Sequence, residues 1–599
     1  MLLLIAIIIF FGSGRGEEYL KKQKNHTFVV GGLFCPYEHS EVINSSWIYG
    51  EPFERCKDFH IAFFLSSAAA RFAVEEINSS SNLSTEIIYV ERQYCSSPVA
   101  SAERMLNLTN SANPKVIVVG ATSENFIRIG HLSSLYNIPT IAAYSTSDTF
   151  FKQKKDYRTT FRTIPSDRHQ IKALVELSSY FDWKWIGIVA VDDDYGQNGL
   201  RGIVEEARYR NICVAFHVYI QTNRYNYSEN VERFFKIMNH TNNIEVVYFY
   251  TSSVINLHEF FSIADELRIR PCVWIASEGW ADRAAEFYKY NVVASIIGVD
   301  VKNHRIHRLL RYKSVCDAVE RNNSTLSSHD FQEWLCKEIL KLNESCDLCS
   351  QKYVNELSNF DINEWLEPKM DYVTYTTYLA IQAIARALQD VESCTKNISI
   401  LEDGCPKINE LYPWQLMGYL QNANFTDNNG SFYQFTENCD VRPSYIYRNT
   451  HINNEGETED VTVGFYKTNS SGEPIFYING TAIRWNRTGG KVPKGRCSPD
   501  CPPGGRTRYA GGQTCCFICL RCPPKTKSTK INSSECVDCS HETYSNDANT
   551  QCLPKVPDIF DYNSNTAVAL SVLCIFGSTA SVASGLMFYW KRDTPLGFM

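Results

Sequence analysis

Between residues 27 and 310 the chain alternates short apolar runs with stretches of helical period. Phe28–Gly32 reads as a strand, and Ala68–Ile77 carries helical spacing. Val116–Gly120 is uniformly apolar, as a strand buried on both faces must be, and a polar loop and a helix follow it. Ile138–Tyr144 and Trp185–Val191 repeat the strand pattern, with a helix predicted over Gln170–Phe181 between them. Glu245–Tyr250 and Cys272–Ala276 continue the series. Such alternation predicts a parallel sheet covered by helices on both faces. The stretch is too long for one sheet domain, so two lobes are expected. Residues 300–365 break the pattern. They are polar, rich in glycosylation sequons and contain Cys316, Cys336, Cys346 and Cys349, which predicts an irregular insertion. A helix near Tyr372–Gln389 and the segment around Pro413 and Trp414 resume folded structure.

The two ends carry different patterns. Met1–Phe11 is almost wholly apolar and small residues follow, so residues 1–16 read as a secretory signal peptide, although no Lys or Arg precedes the apolar run. After Trp485 the composition turns to Gly, Pro and Cys, and nine cysteines lie between Cys497 and Cys552. A module this short cannot bury enough core to hold itself, so disulfides are expected there. Thr566–Trp590 is 25 residues without a charge, enough to cross ~30 Å of hydrocarbon. Asp558 and Asp561 precede this run and Lys591 and Arg592 follow it, which puts the C-terminus in the cytosol. Gly577, Ser581 and Gly585 form a ridge of small residues suited to packing on another helix, or are incidental. Asn-x-Ser/Thr sequons occur at Asn25, Asn44, Asn78, Asn82, Asn107, Asn226, Asn239, Asn322, Asn323, Asn343, Asn397, Asn424, Asn429, Asn469, Asn479, Asn486 and Asn532, and none lies beyond. Their spread suits a lumenal stretch that ends before the membrane. The expected organisation is therefore a signal peptide (1–16), a ligand-binding domain of two lobes (17–493), a cysteine-rich domain (494–556), a linker (557–565), a transmembrane helix (566–590) and a cytoplasmic tail (591–599). It implies a single-pass plasma-membrane protein with its N-terminus outside.

Composition changes little in this picture. Hydrophobic content of 44% and charged content of 21% are ordinary for globular protein. The net charge of −7 comes without a basic block, which argues against a nucleic-acid partner. No G-x-S-x-G, HExxH or Walker loop is present, so no enzyme constellation competes and no cofactor is implied. The chemistry sits at the strand ends, where open parallel sheets bind ligands. Gly120-Ala-Thr-Ser123-Glu, Tyr144-Ser145-Thr146, Pro165-Ser166-Asp167, Asp192-Asp193-Asp194-Tyr195-Gly196 and Ser277-Glu278 each follow an apolar run. Hydroxyls and helix N-termini donate to a carboxylate, while carboxylates and a tyrosine face accept an ammonium. The set suits a zwitterion. The Asp192–Asp194 run admits a metal site, but acids opening a helix complement its dipole, and that reading weighs more.

Several segments carry a family resemblance: FRTIPSDRHQ at Phe161–Gln170, WKWIGIVAVDDDYG at Trp183–Gly196, VWIASEGW at Val273–Trp280 and TCCFICLRC at Thr514–Cys522. Together they resemble a class C G-protein-coupled receptor from its N-terminus through the first membrane helix. YPWQL at Tyr412–Leu416, the Cys346–Cys349 spacing and AIRWNRTGGKVPKGRCSPDC at Ala482–Cys501 look most like the taste receptor type 1 group, with the amino-acid and cation sensors of the class close behind.

The resemblance implies an α/β fold, a two-lobed periplasmic-binding-protein-like Venus flytrap that closes on an L-α-amino acid, followed by a cysteine-rich domain and a transmembrane helix. It implies that Ser123 and Thr146 hold the ligand carboxylate, with backbone help from Tyr144 and Ser145, and that Asp167, Tyr195 and Glu278 engage the ammonium. At Leu65 and Ser66 relatives that grip an acidic or large aromatic side chain often carry Arg or Trp, so glutamate is disfavoured. The family's cysteine map pairs Cys56–Cys95, Cys394–Cys405, Cys497–Cys516, Cys501–Cys519, Cys522–Cys536 and Cys539–Cys552, and ties Cys213 to Cys515. A homo- or heterodimer with another class C subunit is expected. The family has seven membrane helices and this sequence carries one such run, so a G protein is an expected partner only where the other helices exist. Two other readings stay open: a subunit or decoy that binds no small molecule, and a divalent-cation sensor.

Overall fold

The computed structural model describes residues 26–592 apart from 43–53, 81, 95, 222–225, 242, 253–254, 305, 307–308, 310–327, 341–347, 349, 351–356, 358–359, 367–369, 395–403, 428–429, 453–456, 470, 510–514 and 557–560. The chain forms two compact units, Met1–Cys497 and Ser498–Met599.

Among the described residues the first unit has two large sheets, one per lobe, and two two-stranded ones, Tyr37–Val42 with Glu54–Phe59 and Asn424–Thr426 with Phe432–Gln434. In the first lobe β1 (His26–Phe34), β2 (Thr85–Gln93), β3 (Val116–Gly120), β4 (Thr140–Ala142) and β5 (Thr160–Arg162) lie in the order β2-β1-β3-β4-β5 and all run parallel. The strand period of two splits β3 between two cores. Val116 and Val118 join Phe64, Leu65, Leu379 and Ile384 on one face. Ile117 and Val119 join Met105, Leu108, Phe126 and Ile129 on the other. Helices α1 (Ile61–Ser79), α2 (Pro98–Ala112) and α3 (Ser123–Tyr136) supply these residues, with a long helix from Tyr372 to Glu392 added from far along the chain.

In the second lobe β6 (Trp185–Val191), β7 (Cys213–Ile220), β8 (Val246–Tyr250), β9 (Cys272–Ala276) and β10 (Val293–Val301) are parallel in the order β10-β9-β8-β6-β7. Three antiparallel strands, β11 (Ser444–Ile452), β12 (Thr458–Thr468) and β13 (Pro474–Ile478), extend the β10 edge. Helices α4 (Asp167–Tyr180) and α5 (Asp194–Tyr209) pack on this sheet through Leu174, Leu177, Leu200 and Ile203. The chain passes between the lobes three times, after Arg162, after Val301 and at Val441–Ser444. The crossings bond to one another, Val441 N donating to Arg162 O (3.2 Å) and Lys302 N to Ser444 O (2.9 Å). This is the periplasmic-binding-protein-like architecture of two α/β lobes on a hinge.

Among its described residues the second unit has five short strands in the region 505–545 and a sixth at Cys552–Pro554. They form three small hairpins held by disulfides Cys501–Cys519, Cys522–Cys536 and Cys539–Cys552. Cys394–Cys405 closes a loop of the first unit. Cys213, Cys336, Cys497, Cys515 and Cys516 are disulfide-bonded as well. The pair Cys56–Cys95 involves a residue outside those described, as do Cys316, Cys346 and Cys349. The apolar run is one helix, Asn565–Trp590, long and apolar enough to cross a membrane. Ser564 caps it by accepting from Ala567 N (3.2 Å).

Two expectations differ from this fold, one group of strands was not anticipated, and one sequon side chain is engaged within the fold. The run Ile138–Tyr144 predicted one strand, but only Thr140–Ala142 pairs; Ile138 still ends the preceding helix turn and Tyr144 already turns into the cleft loop. The insertion at 300–365 is not wholly irregular: a helix spans Ser328–Ile339, and Phe331, Leu335 and Cys336 are buried in the first lobe's core. Strands β11–β13 had no counterpart in the sequence reading, because they alternate weakly and join their sheet through β10, a strand far back along the chain. Asn78, a sequon, spends its side-chain amide on both main-chain groups of Ile87 (2.8 and 2.9 Å). Of the other sequons, Asn25, Asn44, Asn322, Asn323, Asn343, Asn397 and Asn429 lie outside the described residues, and Asn82, Asn107, Asn226, Asn239, Asn424 and Asn479 are exposed.

Candidate functional site

One cleft between the lobes is lined by Thr122, Ser123, Tyr144, Thr146, Tyr195, Ser252 and Glu278, with a volume of about 220 Å³ including its mouth. Five of the seven residues expected to bind ligand are in that lining; Ser145 and Asp167 stand immediately behind it.

The first lobe supplies hydroxyls at strand ends. Ser123 opens α3, so its hydroxyl sits where free helix N–H groups and the positive end of the dipole favour an anion. It accepts from Ser147 N (3.2 Å). Ser145 is fully buried and its hydroxyl donates to Ala121 O (2.5 Å), tying the β4 loop to the β3 loop. Its side chain is therefore structural. Thr146 Oγ1 reaches Glu278 Oε1 at 3.4 Å, across the two lobes.

The second lobe supplies acids and rings. Asp193 caps α5, accepting from Gly196 N (2.7 Å), which accounts for the acidic run as a helix start. Tyr195, the second residue of α5, stacks on Tyr250 with ring centroids 4.4 Å apart. Two glycines let these loops close up. A Cβ at Gly196 meets Val191 O at 2.1 Å, and one at Gly279, next to Glu278, meets Thr251 O at 2.3 Å. Glu278 is 2% exposed and its Oε2 has no hydrogen-bond partner. Asp167 is fully buried; Tyr250 donates to its Oδ1 (2.9 Å), and its Oδ2 has no partner. Burial pushes the Asp167 carboxyl up to about 7, against the pull of Thr146, Tyr250 and Arg162. Burial, reinforced by the charge of Asp167, drives Glu278 well above the usual carboxylate range. Two buried carboxyls, Glu278 in the lining and Asp167 behind it, each with one oxygen short of a donor, make a site that is electrostatically incomplete without a cation or a proton.

Three features escaped the sequence reading. Arg162, on the first crossing, is 1% exposed and binds Asp440 of the third crossing through Nε–Oδ1 (2.6 Å) and Nη2–Oδ2 (2.7 Å). Its Nη1 donates to Thr146 O (2.9 Å) and Ser147 O (2.8 Å), so one guanidinium fixes the hinge and the carboxylate loop together. Asn198 of α5 donates from Nδ2 to Ser147 Oγ and Thr149 Oγ1 (3.1 Å each), latching the second lobe to the first. Tyr144 lies edge-on to Phe63 (4.8 Å, 83°) and stacked on Tyr372 (6.1 Å, 21°). Arg162 was within reach of the motif FRTIPSD, but its partner lies 278 positions away. No group of three or more His, Cys, Asp or Glu suited to a metal ion occurs among the described residues.

Residues 65–451 match the receptor family ligand binding region, and residues 492–545 match the nine-cysteines domain of family 3 G-protein-coupled receptors. The chain therefore belongs to the class C, or family 3, G-protein-coupled receptors, and the match covers their extracellular region. Among particular relatives, the extracellular calcium-sensing receptor of Mus musculus is 28% identical over 96% of this chain and 57% of its own length. G-protein coupled receptor family C group 6 member A of Carassius auratus is 27% identical over 94% and 64%. Taste receptor type 1 member 2 of Homo sapiens is 25% identical over 95% and 67%. The chain thus spans a little over half the length of the calcium-sensing receptors it matches. Similarity leans to the first two rather than to the taste receptors, reversing the order expected from the short segments. All three are named as receptors.

Proposed function

We propose that this chain is the extracellular sensing part of a class C receptor subunit at the plasma membrane, N-terminus outside, and that it binds L-α-amino acids by closing its two lobes. The observation that carries this reading is the meeting of the Ser123 and Thr146 hydroxyls of one lobe with the Glu278 carboxylate of the other in a single cleft. A carboxylate fits the hydroxyls and the start of α3; an α-ammonium fits Glu278, with Asp167 and the Tyr195 ring behind it. Only the closed form touches both ends of the ligand, so binding selects closure. Shifting such an equilibrium from 1:99 to 99:1 takes ~5.5 kcal/mol of differential affinity, within reach of several charge-assisted hydrogen bonds. The ammonium also takes the place of a proton that the Asp167–Glu278 pair otherwise retains near neutral pH. Pairing with a second class C subunit, and coupling to a G protein through membrane helices of the assembly, complete the proposal.

The test is calorimetric titration of the chain with the common L-amino acids, alone and with a partner subunit. Binding that is lost in Glu278→Ala supports the reading; no binding under either condition overturns it. A second reading, divalent-cation sensing, is favoured by the unpartnered oxygens of Asp167 and Glu278. Calcium alone raising the melting temperature, with amino acids adding nothing, would replace the first reading by the second.

A further inference from the structure

The cleft lining divides by chemistry, on the amino-acid reading above, on which this inference rests. Ser123 and Thr146 serve the carboxylate and Glu278 the ammonium. With Tyr195 beside Glu278 at the ammonium, what remains for the ligand's side chain is Thr122, Tyr144 and Ser252. None of these is cationic, so a distal carboxylate has no counter-charge there.

Tyr144 dominates what remains. Its main chain belongs to the first lobe, at the end of β4, while its hydroxyl makes a long hydrogen bond to the main-chain oxygen of Ser252 in the second lobe (3.5 Å). The ring therefore lies across the space between the lobes. Phe63 and Tyr372 brace it from two sides. The facing wall does not give way either, because Tyr195 is buried and stacked on Tyr250.

We propose that Tyr144 is a specificity-determining residue that restricts the ligand to small uncharged L-α-amino acids, with side chains of the size found in glycine, alanine and serine. A larger side chain has to push the ring out of its bridge to Ser252 and off its aromatic supports. The same ligand would then oppose the closure that it needs in order to bind.

The experiment titrates the full chain in detergent micelles with glycine, L-alanine, L-serine, L-phenylalanine, L-tryptophan and L-glutamate, in the wild type, Tyr144→Ala and Tyr144→Phe. The wild type is expected to bind the small three, and to bind phenylalanine and tryptophan weaker by the ~10–200-fold that pocket size supplies. Tyr144→Ala should gain at least about tenfold for phenylalanine relative to alanine. Tyr144→Phe, which keeps the ring, should keep the wild-type ranking. Equal affinity of the wild type for phenylalanine and alanine overturns the proposal and leaves the amino-acid reading intact. An unchanged ratio in Tyr144→Ala does the same. If Tyr144→Ala does not fold, the wild-type ranking and Tyr144→Phe still decide. No binding of any of the six overturns this proposal, and the amino-acid reading falls with it only when the common L-amino acids also fail to bind in the presence of a partner subunit.

Discussion

The two walls of the cleft are built on opposite principles. On the first lobe the loops of the cleft are tied down within the protein: Ser145 bonds Ala121, Ser123 accepts from Ser147, and Arg162 holds the carbonyls of Thr146 and Ser147. On the second lobe Asp167 and Glu278 are buried with one oxygen each unpartnered, and both carboxyls are pushed upward by burial. The first wall is a preorganised cradle. The second stores desolvation strain that a cation relieves, so the affinity for an ammonium is held mainly on that side. Closure then joins a rigid face to an unsatisfied one.

The strongest way to break this contrast is to unmake the cradle. Arg162→Gln leaves Asp440 as an uncompensated buried charge, and breaking such a pair costs ~3–5 kcal/mol. Chemical denaturation is expected to show a loss of that size, and the double variant Arg162→Gln/Asp440→Asn to recover much of it. Recovery is the informative outcome, since it separates the charge from the packing.

Glu278→Gln attacks the other wall and should act with two signs. Amino-acid affinity falls by the ~1.5–3 kcal/mol of a charged hydrogen bond. The ligand-free chain keeps or gains thermal stability, because a poorly satisfied buried carboxyl is gone. A destabilised ligand-free variant would mean that the second wall is as settled as the first.

The pH dependence sharpens the same point. Asp167 titrates at about 7 in the folded chain against an ordinary value of 3.8, so the folded state holds a proton that the unfolded state has released. This contribution favours folding of the ligand-free chain below about pH 4 relative to above 7, and is lost as pH rises between those values. Ammonium binding runs the other way and weakens as pH falls below about 7. Titrations at pH 5.5 and 7.5 should show this, and Asp167→Asn should flatten it.

The smallest expected effects are on single neutral groups. Ser123→Ala removes one hydroxyl from the carboxylate cradle, a loss of ~0.5–1.5 kcal/mol in affinity. Asn198→Ala removes the latch to Ser147 and Thr149 without touching the cleft lining, and should speed ligand release measurably in stopped-flow while leaving the ranking of ligands unchanged.

Much of this was legible from residues alone. Apolar runs at Val116–Gly120, Trp185–Val191 and Cys272–Ala276 mark central strands because a parallel strand buried on both faces needs no polar side. The polar residues just after those runs mark the cleft because strand ends of open sheets are where backbone and side-chain groups stay unspent. Ser123, Tyr144, Thr146, Tyr195 and Glu278 were found that way and line one cavity. The division of labour among them was not. Nothing in Tyr144-Ser145-Thr146 says that the middle hydroxyl is consumed by Ala121, that the tyrosine spans to Ser252, or that the threonine carbonyl is held by Arg162.

The sequence by itself determined the class of architecture, the acidic and hydroxylic character of the site, the cross-linked module and the membrane-length helix, because each depends on composition or period within one segment. Tertiary structure alone decided the pairing of Arg162 with Asp440, the meeting of Thr146 with Glu278 and the raised titration of Asp167. These follow from which distant segments share a hinge and how little water reaches them. Local pattern carries no record of either, since burial and counter-charge belong to the assembled fold and not to the stretch of chain that supplies the group.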